Sequence, residues 1–221
     1  MRLALGGMVR LVGAGMAAAV VALSAIAPGG APARSAEPDP FRVVAPGLSA
    51  GKLPPPPVPA FIPSTIGLPS GGVTMAPKIE TRHTILVSGQ EFFDIPSHPS
   101  LVAWYDQFGK LGEGGSNTLF AAHINYMGYG AGPFARLTRT RVGDTLTVVA
   151  TNGVILKYSV QSMSVIKLSA LDMNGVVYPA LSPDKERVTL ISCGGTFVPN
   201  ASGSGGQYDS RVIVVAERYV D

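Results

Sequence analysis

One cysteine stands alone in this chain, and its surroundings indicate nucleophilic chemistry. Cys193 is the only cysteine among 221 residues, and it ends the apolar run Val188–Cys193 before the Gly/Ser-rich stretch 194–206. A lone cysteine is more often a small buried hydrophobe, but one that ends a strand beside a loop can face a cleft. Because a free thiol is only about 3% thiolate at neutral pH, such a role requires a nearby imidazole or guanidinium.

The histidine best placed to assist the thiol is His123. It ends the apolar run 118–122 and precedes a Gly-rich loop, so it also lies at the end of a predicted strand. His83 stands in a polar stretch and His98 precedes a proline, and we expect both to be solvated. A single histidine at a strand end is more often structural than catalytic, so its case depends on Cys193.

Arg211 is the third residue that could take part. It precedes the apolar run Val212–Ala216 near the end of the chain. Cationic side chains at strand starts are usually solvated. A guanidinium beside a thioester-forming cysteine would instead stabilise the oxyanion of a tetrahedral intermediate.

Short β-strands are the elements that must position these residues. From residue 58 onward, brief apolar runs rich in β-branched side chains alternate with Gly, Asn, Asp and Pro, a pattern typical of strands. Asn152-Gly153 between the runs 145–151 and 154–160 predicts a hairpin. Further predicted strands are 165–168, 188–193 and 212–216, and short helical turns are expected at 99–109 and 133–139. Many closely spaced strands predict one mainly β domain at 58–221, a closed β-barrel with short helices.

The amino-terminal part has a different composition. Residues 1–27 combine Arg2 and Arg10 with an uncharged apolar stretch, which predicts a signal peptide or a membrane anchor. Residues 28–57 are rich in Pro, Ala, Gly and Ser and predict a disordered spacer. The protein is therefore expected to be exported, either secreted or held at the outer face of the cytoplasmic membrane.

Composition excludes several classes of protein. A chain that is 46% hydrophobic and 14% charged is not globally disordered, and a single cysteine rules out a disulfide scaffold and a zinc site of three or four thiolates. The net charge of +3 arises before residue 53, since cations and acids balance in the rest. Without a basic surface, no nucleic-acid partner is expected.

Taken together, these residues resemble the sortases, the exported cysteine transpeptidases of Gram-positive bacteria. The sequence Thr-Leu-Ile-Ser-Cys at 189–193 is similar to the family's T-L-x-T-C signature. Tyr208-Asp209-Ser210-Arg211 before the last apolar run resembles the segment that carries the family arginine, and Ala122-His123 resembles its Gly-His. Further similarities are Phe134–Leu137 with Val142-Gly143-Asp144 and, most like actinobacterial class E and F sortases, Trp104-Tyr105 before Gly112-Glu113 and Ile62-Pro63-Ser64.

The resemblance implies both a reaction and its partners. A sortase cleaves an L-P-x-T-G-like sorting signal of an exported protein between Thr and Gly and transfers the acyl group to an amine of a peptidoglycan precursor or a pilin lysine. By this similarity Cys193 forms the thioacyl-enzyme, His123 exchanges protons with the leaving and incoming amines, and Arg211 stabilises the oxyanion. The reaction needs no cofactor and no metal, and no acidic cluster resembles the calcium-binding loops of some members.

Residues next to the catalytic candidates are expected to line the substrate groove. Ala122, Ile191 and Ser192 flank them on apolar strands, although packing in the core is nearly as plausible for Ala122 and Ile191. By the resemblance, residues 167–187 form the segment that covers the sorting signal. Ser192 and Ala122 replace the family's usual threonine and glycine, so both bear on substrate fit.

Two other functions agree with the same residues. A secreted cysteine hydrolase would use the same thiol and imidazole with water as the acceptor. A non-enzymatic exported β-barrel binding module would bury Cys193 as an inert side chain. Product analysis with and without an amine separates the first from a transferase, and thiol labelling of the folded protein tests the second.

Overall fold

The computed structural model describes residues 61–75, 78–87, 90–201 and 205–220. The expected export segment at 1–27 and the spacer at 28–57 lie outside these residues and stay predictions. Within the described part, no helix is long and apolar enough to cross a membrane.

The described residues form mainly β-strands. The strands are β1 Pro63–Gly67, β2 Ile79–Arg82, β3 Thr84–Val87, β4 Gln90–Phe93, β5 Val102–Tyr105, β6 Asn117–Ala121, β7 Asn125–Tyr126, β8 Gly130–Ala131, β9 Thr145–Ala150, β10 Ile155–Lys167, β11 Lys185–Pro199 and β12 Gly206–Tyr219. One short helix, α1 Met173–Val177, and 3-10 turns at Pro69–Gly71, Leu137–Arg139 and Leu168–Ala170 lie between them.

Eight of these strands form one sheet in the order β1-β9-β10-β12-β11-β6-β5-β2. An isolated bridge between Thr65 and Lys78 brings its two outer strands together, so the sheet nearly closes into a barrel. The predicted mainly β barrel with short helices is therefore confirmed. The hairpins β3–β4 and β7–β8 form separate two-stranded sheets.

The predicted hairpin around Asn152-Gly153 is formed by β9 and β10, which pair antiparallel from Val149 opposite Ile155. In both strands alternate residues are buried in the barrel, among them Leu146, Val148 and Leu156. Gly153 has a φ of 85°, a conformation that glycine adopts without steric cost.

The expected helical turn at 99–109 is wrong, since its centre is strand β5. All four residues of Val102–Tyr105 are buried, because Val102 and Trp104 pack in the main core on one face of the sheet and Ala103 and Tyr105 pack in a second hydrophobic cluster on the other. A strand covered on both faces lacks the polar alternation that marks a half-buried strand, so its apolar run does not reveal its type. The second expected segment, 133–139, does contain a 3-10 turn at its end.

The chain past Cys193 also differs from the prediction. Strand β11 does not end at the cysteine but continues to Pro199, and Arg211 lies inside β12. The pairs Phe197–Tyr208 and Pro199–Gly206 extend the ladder beyond the apolar runs. Main-chain hydrogen bonds form this extension, and they do not require the apolar side chains on which the prediction depended.

Strand order explains how the candidate residues come together. Strand β11 pairs antiparallel with β12, with Cys193 opposite Arg211, and parallel with β6, with Ile191 opposite Ala121. The parallel register places His123 beside Cys193, because each lies two residues beyond that pair. A hydrophobic cluster separate from the main core supports this region, where α1 packs on the strands: Ala103, Tyr105, Leu119, Met173, Val177, Ile191 and Ile213.

Candidate active site

Cys193, His123 and Arg211 line the same two clefts. All three side chains are almost entirely buried, with 9%, 4% and 7% of their surfaces exposed. The clefts lie on different sides of this group and meet at it. The three residues singled out from the sequence are therefore brought together where the two clefts share their lining.

The thiol of Cys193 is protonated at rest. Burial raises its pKa, and the neighbouring Arg211 guanidinium partly offsets that rise. Removing a thiolate from water is unfavourable, whereas a nearby positive charge stabilises it. Arg211 thus favours the thiolate, although burial has the larger effect on this pKa.

Both the backbone and the ring of His123 are held by neighbouring residues just after the end of β6. Its main-chain carbonyl accepts a hydrogen bond from the Phe134 amide at 3.1 Å, and its ring meets the Tyr126 ring edge-on, with centroids 5.2 Å apart. Burial lowers its pKa, so the imidazole is neutral at rest. No hydrogen bond joins the ring to the Cys193 thiol, and burial of both groups favours a neutral thiol and a neutral imidazole.

The other two histidines line neither cleft. His83 is 68% exposed with its Nε2 3.2 Å from an Asp106 carboxylate oxygen, and the His98 Nδ1 lies 2.8 Å from the Ser100 hydroxyl. This agrees with their expected place in solvated loops.

The guanidinium of Arg211 is anchored through one nitrogen. Its Nη1 donates to the carbonyls of Ser210 at 2.9 Å and Tyr208 at 3.3 Å. Among the residues that the structure describes, neither Nε nor Nη2 has a hydrogen-bond partner. These groups can therefore donate to a substrate oxygen in the clefts.

The larger of the two clefts, called here the large cleft, has a volume of about 580 Å³. One wall is the β7–β8 hairpin and the other is the outer part of β11 and β12. Between the walls, the Asn125 side-chain amide donates to the Tyr208 hydroxyl at 2.8 Å. Besides the three shared residues, its lining is Ile124, Asn125, Tyr126, Met127, Gly128, Gly130, Phe197, Gly205, Gly206, Gln207 and Tyr208.

The small cleft, of about 80 Å³, lies toward the second hydrophobic cluster. The three residues expected to line a substrate groove, Ala122, Ile191 and Ser192, all lie in its wall. The Ser192 hydroxyl donates to the Ala122 carbonyl at 3.1 Å, which ties β11 to the end of β6. Its other lining residues are Phe93, Ile95, Pro96, Tyr105 and Ala121.

The segment 167–187, expected to cover a bound substrate, is attached to the sheet by the packing of Met173 and Val177 in the second hydrophobic cluster and by hydrogen bonds from one buried side chain. The Asn117 amide donates to the carbonyls of Val176 and Val177 at 2.9 and 3.1 Å. Its oxygen accepts from the Thr189 hydroxyl at 2.8 Å. Asp172 caps α1 by accepting from the Gly175 amide at 3.1 Å.

Sequence reasoning missed Asn117, Asn125 and Tyr126, which hold the segment 167–187, the walls of the large cleft and the His123 ring. Their partners are distant in the chain or are ring contacts, and no local pattern reports them. Asn125 and Tyr126 lie two and three residues after His123, and this closeness to His123 was the one available signal. Within the described ranges, no group of three or more His, Cys, Asp or Glu side chains could hold a metal ion.

Comparison with known proteins identifies a matching family and solved structures with a similar fold. The family model described as "Sortase domain" matches residues 76–219. The SrtA sortase from Actinomyces oris has a similar fold, with a TM-score of 0.50 and 23% sequence identity over 71% of this chain and 79% of that one. Sortase A from Corynebacterium diphtheriae gives 0.48 and 18% over 73% of this chain and 62% of that one. No curated protein matches the chain in sequence.

Proposed function

The chain belongs to the sortase family, whose members are cysteine transpeptidases, and on this premise we propose that Cys193 carries the acyl group between two peptides. The observation that supports this most directly is the pair of clefts that meet at Cys193, His123 and Arg211. A transpeptidase must bring an acyl donor and an amine to one thiol in turn, and two clefts supply two approaches.

In the first half-reaction, the Cys193 thiolate attacks the Thr carbonyl of an L-P-x-T-G-like signal. Nε and Nη2 of Arg211 donate to the oxygen that becomes negative. As the C–N bond to Gly breaks, the His123 imidazolium gives its proton to the leaving amine. The products are a thioester on Cys193, a neutral imidazole and the released carboxy-terminal fragment.

In the second half-reaction, an amine attacks the thioester. His123 takes a proton from this amine, the new C–N bond forms, and the C–S bond breaks to return the thiolate to Cys193. The proton held by His123 restores the starting ion pair. All atoms and charges therefore balance without a cofactor.

The resting protonation state sets a limit on the rate. The reaction starts from a thiolate and an imidazolium, whereas burial favours a neutral thiol and a neutral imidazole. At pH 7, an imidazole and a thiol with unperturbed pKa values near 6.5 and 8.5 would be an imidazolium–thiolate pair in about 1% of molecules. The lowered pKa of His123 and the raised pKa of Cys193 reduce this fraction further. The contribution of Arg211 to the thiolate matters correspondingly more.

The small cleft is the proposed place for the sorting signal. Its apolar wall of Phe93, Tyr105 and Ile191 suits Leu and Pro side chains, and Ala122, Ile191 and Ser192 bring that wall to the thiol. The segment 167–187, held by Asn117, would cover the bound signal. The large cleft is then the proposed approach for the amine, from a peptidoglycan precursor or a pilin lysine.

The sortase class of the enzyme, its location and its clients are part of the same proposal. Trp104-Tyr105 and Ile62-Pro63-Ser64 favour a place near the class E and F sortases. Residues 1–27 would export the chain or anchor it in the membrane, and residues 28–57 would connect that segment to the catalytic domain at 58–221. Its clients would be other exported proteins.

Mass spectrometry of the full-length protein tests this proposal. It is mixed with L-P/A-x-T-G peptides, with and without triglycine as the amine. We expect a thioacyl adduct on Cys193 that disappears as amine-exchanged product forms. Cleavage with no exchange to any amine would favour the hydrolase. No adduct and a thiol inert to alkylation would favour the binding module.

Three variants assign the roles in this assay. Cys193→Ala should remove the adduct completely, and His123→Ala should lower turnover by about 10²- to 10⁴-fold, the range of proton-transfer catalysis. His83→Ala is the matched control, because His83 is 68% exposed and lines neither cleft, and it should keep full activity. Full transpeptidation by Cys193→Ala would contradict the mechanism.

A further inference from the structure

The carboxylate of Asp209 binds three donors from three strands but lines neither cleft. Its Oδ1 accepts from the Thr196 amide at 3.0 Å and from the Ser210 hydroxyl at 2.8 Å. Its Oδ2 accepts from the ammonium of Lys167, the last residue of β10. The carboxylate therefore ties β10, β11 and β12 together two residues before Arg211.

These contacts lie at a β-bulge just past the cysteine. The register between β11 and β12 shifts between Gly194 and Phe197, so that Gly195 and Thr196 together face Asp209. A bulge leaves one residue out of the ladder, and the carboxylate supplies the missing acceptor for the Thr196 amide. It also occupies the space over Gly195, which has a φ of 76°, since a Cβ there would lie 2.1 Å from Oδ1.

The same stretch of backbone holds Arg211. The two carbonyls that accept from its Nη1 belong to Tyr208 and Ser210, the residues on either side of Asp209. A change in the peptide orientation at Asp209 would move both acceptors. The guanidinium would then lose the anchor that directs its Nε and Nη2 toward the clefts.

We propose that Asp209 is a positioning residue for Arg211, acting through the bulge at Gly195-Thr196. This inference rests on the proposed function for its effect on turnover, though not for its effect on the thiol. The Lys167 and Ser210 hydrogen bonds lower the pKa of Asp209 to about 2, so the carboxylate stays ionised at all ordinary pH values. The anchor is therefore constant, and it does not act as a pH switch.

The pH dependence of Cys193 alkylation by iodoacetamide tests this inference without any peptide substrate. In Asp209→Ala a misplaced guanidinium stabilises the thiolate less. The alkylation midpoint, the pH at which the rate reaches half its maximum, should therefore move to higher pH, as in Arg211→Met. If the Asp209 carboxylate instead acted directly on the thiol, its removal would stabilise the thiolate and move the midpoint to lower pH. A shift to lower pH, or no shift in a folded variant, would overturn the inference.

A double-mutant cycle provides the second criterion. Asp209→Ala in the Arg211→Met background should cause no further shift, because the group that it positions is absent. Equal shifts in both backgrounds would overturn the inference. Asp184→Ala, which removes another exposed carboxylate, is the matched control and should leave the midpoint unchanged.

Asp209→Asn keeps the measurement possible if the alanine variant does not fold. The amide oxygen can still accept from Thr196 and Ser210, so the midpoint should stay close to that of the parent protein. A shift to lower pH in this variant would show direct action of the charge and would contradict positioning.

If the enzyme forms a thioacyl adduct, its kinetics give a third reading. Asp209→Ala should lower the kcat of acylation by about 10- to 100-fold, the range expected for a misplaced catalytic group. The KM for the peptide should change by less than about twofold, since Asp209 touches neither cleft. A parent enzyme that forms no adduct would refute the proposed function but leave the alkylation test intact.

Discussion

The two clefts that meet at Cys193 have walls of different construction. The small cleft is lined by strand residues such as Tyr105 and Ile191, which also belong to a buried hydrophobic cluster. The large cleft is lined by the β7–β8 hairpin and the outer part of β11–β12, where Tyr129 and Phe197 are 61% and 48% exposed. The small cleft is thus bounded by a hydrophobic cluster, whereas the large cleft is bounded by hairpins that lie outside the hydrophobic clusters.

This difference suggests how the two substrates are selected. A cleft cut into packed side chains has a fixed shape and discriminates by fit. The two walls of the large cleft lie outside the hydrophobic clusters and are joined across the cleft by the Asn125–Tyr208 hydrogen bond, so we expect them to accept more varied shapes. We therefore expect strict recognition of the sorting signal and looser recognition of the amine.

The largest effect is expected at Arg211, which lines both clefts. Arg211→Met should lower both acylation and amine transfer by about 10²- to 10³-fold, because each passes through an oxyanion at the same place. The guanidinium also lowers the pKa of the thiol, so the alkylation midpoint should rise when it is lost. Single-turnover kinetics of both steps check this, with the exposed Arg139→Met as control. Loss of one step alone would contradict a shared oxyanion site.

Filling the small cleft should affect the acyl donor only. Ala121→Leu places three extra heavy atoms in about 80 Å³, and we expect acylation kcat/KM to fall by about 10- to 200-fold, as for a misfit of one or two methylene groups. Alkylation by iodoacetamide should stay normal. Ala135→Leu, at an exposed position, is the matched control. A defect confined to amine transfer would reverse the assignment of the two clefts.

Loosening the large cleft should affect the amine only. Tyr208→Phe removes the acceptor for the Asn125 amide, so amine transfer should fall about 2- to 10-fold relative to hydrolysis, the value of one hydrogen bond. The product ratio measured by liquid chromatography reports this, with Tyr219→Phe as control. A change in the acylation rate instead would show that the two walls also shape the donor site.

The smallest effect is expected where this chain departs from the family signature. Ser192→Thr keeps the hydroxyl that donates to the Ala122 carbonyl and adds one methyl group beside the small cleft. The free energy of unfolding should change by at most about 1 kcal/mol and kcat/KM by less than about fivefold. Thermal melting and peptide kinetics check both expectations, with Ser162→Thr, at an exposed position, as the control. A large gain in activity would show that this position limits the natural enzyme.

Some features of the site could be predicted because the local sequence records them. Cys193, His123 and Arg211 each adjoin an apolar run, and β6, β11 and β12 follow those runs. The hairpin at Asn152-Gly153 was predicted because turn residues specify local geometry.

Other features depend on partners far away in the chain. Strand β5 resembled a helical segment because hydrophobic clusters formed by other parts of the chain cover both of its faces. The continuation of β11 past Cys193 depends on main-chain pairing with β12, and the bulge at Gly195 depends on the Asp209 carboxylate. Local patterns contain none of these contacts, so the sequence pointed to the reactive residues but not to the groups that hold them.

The Asn117 anchor has a consequence for redesigning specificity. Its amide binds main-chain carbonyls at Val176 and Val177 and uses the Thr189 hydroxyl as its own support. Hydrogen bonds to main-chain atoms do not constrain the exposed side chains of the segment, although Met173 and Val177 must still pack in the second hydrophobic cluster. The exposed positions of the segment 167–187 can therefore be randomised in a library while its attachment is preserved. Asn117 and Thr189 should stay constant in such a library, as should Lys167, which binds Asp209, and Asp172, which caps α1. With the segment covering the sorting signal as proposed, the library would select variants for new signals.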